Sequence, residues 1–264
     1  MRHVSRGVSA ILLDAGGVLV FPQPGLLLPP LFGAGVFPDV AALEQAHYRA
    51  MVVQDLAATP PAAATWWRDY LTGFVAACGV PRERCGEVAL QIAEVTRGHA
   101  WSHVGTGATS GLRALAALGV PMGVVSNSDG TVEAELRQLG VCYAPAWPQP
   151  GAPYPPDGPQ PGPYPPDAGV RVGVVVDSAL VGVAKPDPAI FTIALDALGV
   201  PASSTVLYVG DSLRYDVAGA LAAGLQPVHL DPYGLCPLPS GHPHVRSLAE
   251  LARILERTGP VGLA

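Results

Sequence analysis

The sequence predicts an α/β fold: a parallel sheet with helices on both faces, and a small all-helical lobe following its first strand. From about residue 108 onward, short β-branched runs alternate with helical periodicities, the pattern of strands joined by crossover helices. Between about 39 and 97, three helical periodicities follow one another with no strand between them, which reads as a separate lobe. The 264 residues are 49% hydrophobic and only 14% charged, enough apolar material for a sizeable core.

The first strand is predicted over about 8–14, where Ile11, Leu12 and Leu13 deliver a single carboxylate, Asp14, followed by Gly16 and Gly17. Pro22, Pro24, Gly25, Pro29 and Pro30 predict a loop next. Helices are predicted over 39–57 (Val40, Leu43, Ala46, Ala50 and Val53, with Asp39 as N-cap), 62–78 (Trp66, Tyr70, Phe74, Ala77) and 83–97 (Val88, Ile92, Val95). Alternation then gives a helix over 108–118, a strand over 120–126 and a helix over 130–139 ended by Gly140. A strand over 170–177 and a helix over 187–198 follow. The last elements are a strand over 205–211, a helix over 215–223, a strand over 226–230 and a helix over 247–257.

Residues 145–166 interrupt this rhythm with eleven prolines and the pentapeptide PYPPD repeated ten residues apart. Proline this dense forms neither helix nor inner strand. An exposed polyproline-like insert is therefore expected over 145–169. Such a loop suits a protein partner with an aromatic groove, or is a neutrally expanded surface segment.

The net charge of −6 argues against non-specific nucleic-acid binding. No apolar stretch approaches the ~20 residues of a membrane span, and Asp14 cuts short the apolar run behind Arg2 and Arg6 that mimics a leader. A cytoplasmic protein with neither nucleic acid nor membrane as partner is the expectation. Cys78, Cys85, Cys142 and Cys236 show no C-x-x-C spacing and read as free thiols. Of 15 basic residues only Lys185 is a lysine. In a chain so biased toward arginine, it is a candidate for a role that needs a compact point charge.

The strands end on polar residues: Asp14 after ILL, Ser126 and Asn127 after VPMGVV, and Asp211 after LYVG, with Lys185 just before a helix. Four elements converging on one rim of a parallel sheet suit a phosphate handled with a divalent cation.

In order, ILLDAGGV, VVSNSDG, GVAKPDPAIF and YVGDSLRYDVAGALAAG resemble the four motifs of the haloacid dehalogenase-like hydrolases. The resemblance implies a Rossmann-like core over 1–20 and 101–264 and a helical cap over 21–100. It implies that Asp14 is a nucleophile forming an aspartyl-phosphate. Mg²⁺ would be held by Asp14, the carbonyl of Gly16 and Asp211, and supported through water by Asp216, which is otherwise read as an acid favoured at a helix N-terminus. Ser126 and the amide of Asn127 would take phosphoryl oxygens, and Lys185 would neutralise the nucleophile–phosphate pair. The implied substrate is a small phosphorylated metabolite.

Gly16 departs from the family's phosphatases, which carry an aspartate there to protonate the leaving oxygen. General acid–base catalysis is worth ~10²–10⁴-fold, or about 3 to 5 kcal/mol of barrier. A phosphatase favouring good leaving groups is therefore expected, against a metal-independent dehalogenase-type hydrolase or a non-catalytic scaffold. His47, Tyr48, Arg49, Trp66 and Trp67 are cap candidates to which the sequence assigns no role.

Overall fold

The computed structural model describes residues 7–58, 63–97, 100–145, 169–238 and 241–258. The Pro-rich insert lies outside these residues apart from its ends. In chain order the elements open with β1 (Ala10–Leu13), β2 (Val20–Phe21), α1 (Pro24–Gly33), α2 (Val40–Leu56), α3 (Ala63–Ala77), α4 (Cys85–Val95), β3 (His103–Val104) and α5 (Ala108–Ala117). They continue with β4 (Met122–Ser126), α6 (Val132–Gln138), β5 (Cys142–Tyr143), β6 (Val170–Arg171), β7 (Val174–Asp177), α7 (Ser178–Val181) and α8 (Ala189–Leu198). The last are β8 (Val206–Gly210), a π-helical turn (Leu213–Val217), α9 (Ala218–Ala222), β9 (Gln226–Leu230), β10 (His244–Val245) and α10 (Leu248–Thr258).

Six strands form one sheet in the order β10-β9-β8-β1-β4-β7, and every pairing in it is parallel. β1 shows why the run ILL must be apolar throughout. Ile11 and Leu13 pack in the core formed with α5, α6 and α10, while Ala10 and Leu12 face the core formed with α8 and α9. A strand covered on both faces has no solvent side to alternate toward.

The lobe has its own core, drawn from α1, α2, α3 and α4. Here two expectations are corrected. The segment expected as a Pro-rich loop is helix α1, with Pro24 in its first turn, where no N–H is needed, and Pro29 and Pro30 inside it. Leu27 and Leu31, one turn apart, are 1% and 0% exposed, and that burial outweighs the two missing amide donors. Val40, Val53 and Val95, assigned to buried faces by spacing, are exposed. Asp39 caps α2 as expected, accepting from the amide of Ala42.

The strand expected over 170–177 is two strands. β6 pairs with β5 in a small separate sheet, and β7 pairs with β4 in the main one. Gly173 lies at the break, donating to the carbonyl of Met122 at 2.7 Å, and a Cβ there would run into the Leu198 side chain.

Two glycines give opposite expectations for alanine. At exposed Gly86 in α4 nothing lies within 4 Å of a built Cβ, so Gly86→Ala should stabilise by ~0.5–1 kcal/mol. At Gly111 in α5 a Cβ would stand 2.6 Å from Cβ of Leu248 in α10, so Gly111→Ala should cost ~1–3 kcal/mol through overpacking. Urea titrations of both variants check the pair.

Candidate active site

The chain runs β1 to β4 to β7 in one direction, then returns to β8 on the other side of β1 and proceeds to β9 and β10. Loops leaving the carboxyl ends of β1 and β8 therefore diverge, and the crevice between them is where parallel sheets bind ligands. Asp14 and Asp211 are the first residues beyond those two strands.

Lys185 holds this crevice together. It is 4% exposed, and its Nζ lies 2.7 Å from Asp14 Oδ2 and 2.7 Å from Asp216 Oδ1. The same ammonium donates to the Tyr208 hydroxyl at 2.9 Å. Burial works to strip its proton, but the charges of Asp14 and Asp216 and their hydrogen bonds outweigh that and hold its pKa above the ordinary lysine value. Asn127 fixes the backbone beneath it: the Lys185 amide donates to Asn127 Oδ1 at 2.8 Å, and Asn127 Nδ2 donates to the Lys185 carbonyl at 3.0 Å.

Asp216 does not stand in an ordinary first helical turn, as the sequence led one to expect, but in the π-helical turn. Its Oδ2 accepts from the amides of Asp211 at 3.0 Å and Ser212 at 2.9 Å. Both its oxygens are thus engaged by protein donors. Gly210 permits this approach, because any Cβ there would run into the Asp216 side chain. Ser126 ends β4, is buried and stands beside Asp177 of β7 in the sheet register. The Asp177 carboxylate is committed to the amides of Gly130, Val132 and Ala179.

Asp14, Asp211 and Asp216 each bring a carboxylate oxygen within 4.8 Å of the others. Burial pushes the Asp14 carboxyl up to about 7; Lys185 pulls it back, while Asp216 and Asp211 add to the rise. Burial thus outweighs an ammonium only 2.7 Å away, and three carboxylates face that one lysine. The Gly16–Val20 bridge runs through the carbonyl of Ala15 and the amide of Gly17, so Gly16's own carbonyl is not spent on it. An all-oxygen donor set with surplus negative charge fits a hard divalent cation such as Mg²⁺.

The cap reaches into the same crevice, which the sequence did not disclose. His47 of α2 is 1% exposed; its Nε2 lies 2.8 Å from Asp211 Oδ2 and its Nδ1 2.9 Å from the Tyr70 hydroxyl. The Tyr48 hydroxyl donates to the Gly17 carbonyl at 2.7 Å. Asp55 accepts from Ser212 Oγ at 2.7 Å and from the amides of Leu213 and Arg214. The overlooked signal at Asp55 is an acid in the last turn of a helix, where the dipole disfavours it unless it has a partner elsewhere.

The two glycines after Asp14 have separate reasons. Gly17 has φ +71°, and a Cβ there would come within 2.5 Å of both Asp211 Oδ2 and His47 Nε2. At Gly16 the nearest neighbour of a built Cβ is the Trp101 ring, 3.3 Å away. The position that carries a second acid in phosphatases of the resembled family is here packed against an indole.

A family model described as haloacid dehalogenase-like hydrolase matches residues 8–224. The pyrimidine 5'-nucleotidase YjjG of Escherichia coli (strain K12) is 40% identical over 88 residues, which are 31% of this chain. The chain spans 37% of the length of the curated relatives it matches. Among solved structures, YfnB from Bacillus subtilis, bound to magnesium, superposes with a TM-score of 0.57 at 15% identity, covering 95% of this chain and 99% of that one. A 2-haloacid dehalogenase from Pseudomonas syringae pv. Tomato DC3000 gives a TM-score of 0.50 at 20% identity, with the same coverage. Likenesses at these identities show the fold.

The raised pKa of Asp14 has a consequence for stability. Folding lifts it from 3.8 to about 7, so ionising this carboxyl costs stability as pH rises through that window and leaves stability untouched below it. In cation-free protein, Asp14→Asn should therefore gain on the wild type between about pH 4 and pH 7 and hold that gain above it. Melting temperatures in EDTA check this; a difference independent of pH would show that Asp14 titrates like an ordinary aspartate.

Proposed function

Because the chain belongs to the haloacid dehalogenase-like hydrolase family, we propose that it is a Mg²⁺-dependent phosphohydrolase of small phosphorylated metabolites, acting through an aspartyl-phosphate on Asp14. The observation that carries this reading is the meeting of Asp14 with Lys185 at 2.7 Å and with the acid cluster completed by Asp211 and Asp216. A metal-independent dehalogenase has no use for the second and third acids.

Asp14 is oriented for attack: its Oδ1 accepts the Ala15 amide at 2.7 Å, and its Oδ2 is held by Lys185. An oxygen–phosphorus bond forms, and the bond to the leaving oxygen breaks with its electron pair staying on that oxygen. Water then attacks phosphorus and returns Asp14 to a carboxylate. Asp14, Asp211 and the Gly16 carbonyl, with Asp216 in support, would hold Mg²⁺, which would supply charge screening between the two anions. Ser126 and the backbone N–H of Asn127 receive phosphoryl oxygens, since the Asn127 side-chain amide is engaged with Lys185.

Position 16 offers the leaving oxygen no proton. Substrates whose leaving group departs readily as an anion, such as anomeric sugar phosphates, acyl phosphates and aryl phosphates, fit this site best. The 5'-phosphate of a pyrimidine nucleotide, the substrate class named for the Escherichia coli relative, is an alkyl ester and fits less well.

Asp14→Asn should abolish turnover of p-nitrophenyl phosphate with Mg²⁺; activity within about tenfold of wild type would remove Asp14 from the nucleophile's role. Lys185→Arg should lose at least ~10²-fold although it keeps the charge, because a planar fork does not fit between two carboxylates shaped around an ammonium.

The leaving-group argument is tested with p-nitrophenyl phosphate, a sugar 1-phosphate and a sugar 6-phosphate across wild type, Gly16→Ala and Gly16→Asp. Gly16→Ala carries the same Cβ crowding against Trp101 without an acid. Rates should fall steeply with leaving-group pKa in wild type and Gly16→Ala, and less steeply in Gly16→Asp. Equal slopes in all three would show that another group delivers the proton.

A further inference from the structure

Beside the acid cluster, on the outer edge of the sheet, lies a second group of potential ligands that the phosphohydrolase reading does not use. His229, Cys236, His242 and His244 each present a nitrogen or sulfur within 4.8 Å of the others. The backbone brings them together. β9 and β10 pair in parallel with His229 opposite His244, so the two rings share a face of the sheet. His242 precedes His244 by two residues, the spacing that returns a side chain to the same side of an extended chain. Cys236 is delivered by the turn after β9, which the Asp231 carboxylate holds by accepting the amides of Leu235 at 2.8 Å and Cys236 at 3.0 Å.

We propose that His229, Cys236, His242 and His244 form a tetrahedral zinc site, distinct from the magnesium-type acid cluster.

Three observations support it. The first is spacing. Zinc sits ~2.0–2.1 Å from imidazole nitrogen and ~2.3 Å from thiolate sulfur, so a tetrahedron places nitrogens about 3.3 Å apart and a nitrogen–sulfur edge at about 3.6 Å. His229 Nδ1 and His242 Nε2 are 3.2 Å apart, and Cys236 Sγ is 3.7 Å from His242 Nε2.

The second is the tautomer of His229. Its Nε2 lies 3.1 Å from the Asp211 carbonyl, which can only accept, so Nε2 carries the proton and Nδ1 turns its lone pair toward the cluster. An imidazole that donates its other N–H to a backbone carbonyl is the usual arrangement of a metal-ligating histidine.

The third is His244 Nε2, which is buried and has no hydrogen-bond partner. Buried polar atoms rarely go unpaired, and a cation at the centre of the cluster satisfies it. Three imidazoles and a thiolate suit zinc rather than magnesium, which prefers oxygen.

The test is metal binding to the full chain, stripped with chelator and then held in saturating Mg²⁺ to occupy the acid cluster. Zn²⁺ titrated in competition with a chromophoric chelator should bind at one equivalent per chain. Co²⁺ in its place should give intense visible bands of a tetrahedral ion and a thiolate-to-cobalt charge-transfer band in the near ultraviolet. Cys236→Ser should erase the charge-transfer band. His244→Ala should weaken Zn²⁺ binding by more than the ~10–100-fold that loss of an outer partner costs, while Asp14→Asn should leave it unchanged. No stoichiometric Zn²⁺ binding to the wild type would overturn the proposal. So would a cobalt spectrum lacking the charge-transfer band, or binding lost in Asp14→Asn but kept in Cys236→Ser.

Discussion

One buried ammonium organises the catalytic rim. Lys185 is almost fully removed from water, and a lone charge there would be too costly to keep. Its neutralisation ties together β1 through Asp14, the π-helical turn through Asp216, and β8 through Tyr208. The Tyr208 hydroxyl also lies 3.0 Å from the Val125 carbonyl of β4, so three segments meet at one nitrogen and a fourth joins through the tyrosine. Without the lysine, three carboxylates within 4.8 Å of one another would repel. With it, a surplus of negative charge remains, and that surplus suits a cation. Breaking such a buried pair from one side leaves the partner uncompensated.

The cap is seated on the same charges. His47 addresses Asp211 directly, and Asp55 receives the amides that open the π-helical turn carrying Asp216. Glu44 adds a contact away from the crevice, accepting from both the amide and the hydroxyl of Thr106. Because His47 and the proposed cation would address one carboxylate, the position of the cap and the binding of metal would be linked through Asp211. The lobe that the fold inserts after β1 is therefore part of the site's electrostatics as well as its wall.

What the sequence made legible were features with a local cause. Asp14, Ser126 and Asp211 stand at strand ends because apolar runs stop there, and Lys185 stood out by composition. Helices α2, α3 and α4 declared themselves by periodicity. What stayed hidden depends on distant partners. Helix α1 is held by the burial of Leu27 and Leu31 in a lobe that exists only once four helices assemble, so its prolines misled. Gly173 splits a continuous apolar run because two different strands, β5 and β4, compete for its two halves. His47 looks like any polar residue on a helix until the cap is placed over β8. The cysteine spacing was uninformative for the same reason: Cys236 finds its neighbours His229, His242 and His244 through the register of β9 with β10.

The missing acid at position 16 is then a change of packing and not only a deletion. Trp101 fills the space a side chain there would need, at 3.3 Å from where its Cβ would begin. Its ring stands edge-on to His47, with centroids 5.6 Å apart, and packs against both the main core and the lobe core. Restoring an aspartate therefore pushes on the residue that joins cap and core and that backs the imidazole on Asp211. Under the proposed phosphohydrolase reading, the glycine that this packing accommodates leaves the departing oxygen without an acid at position 16. A site of that kind would spend its electrostatics on the phosphoryl group and leave departure to the chemistry of the substrate.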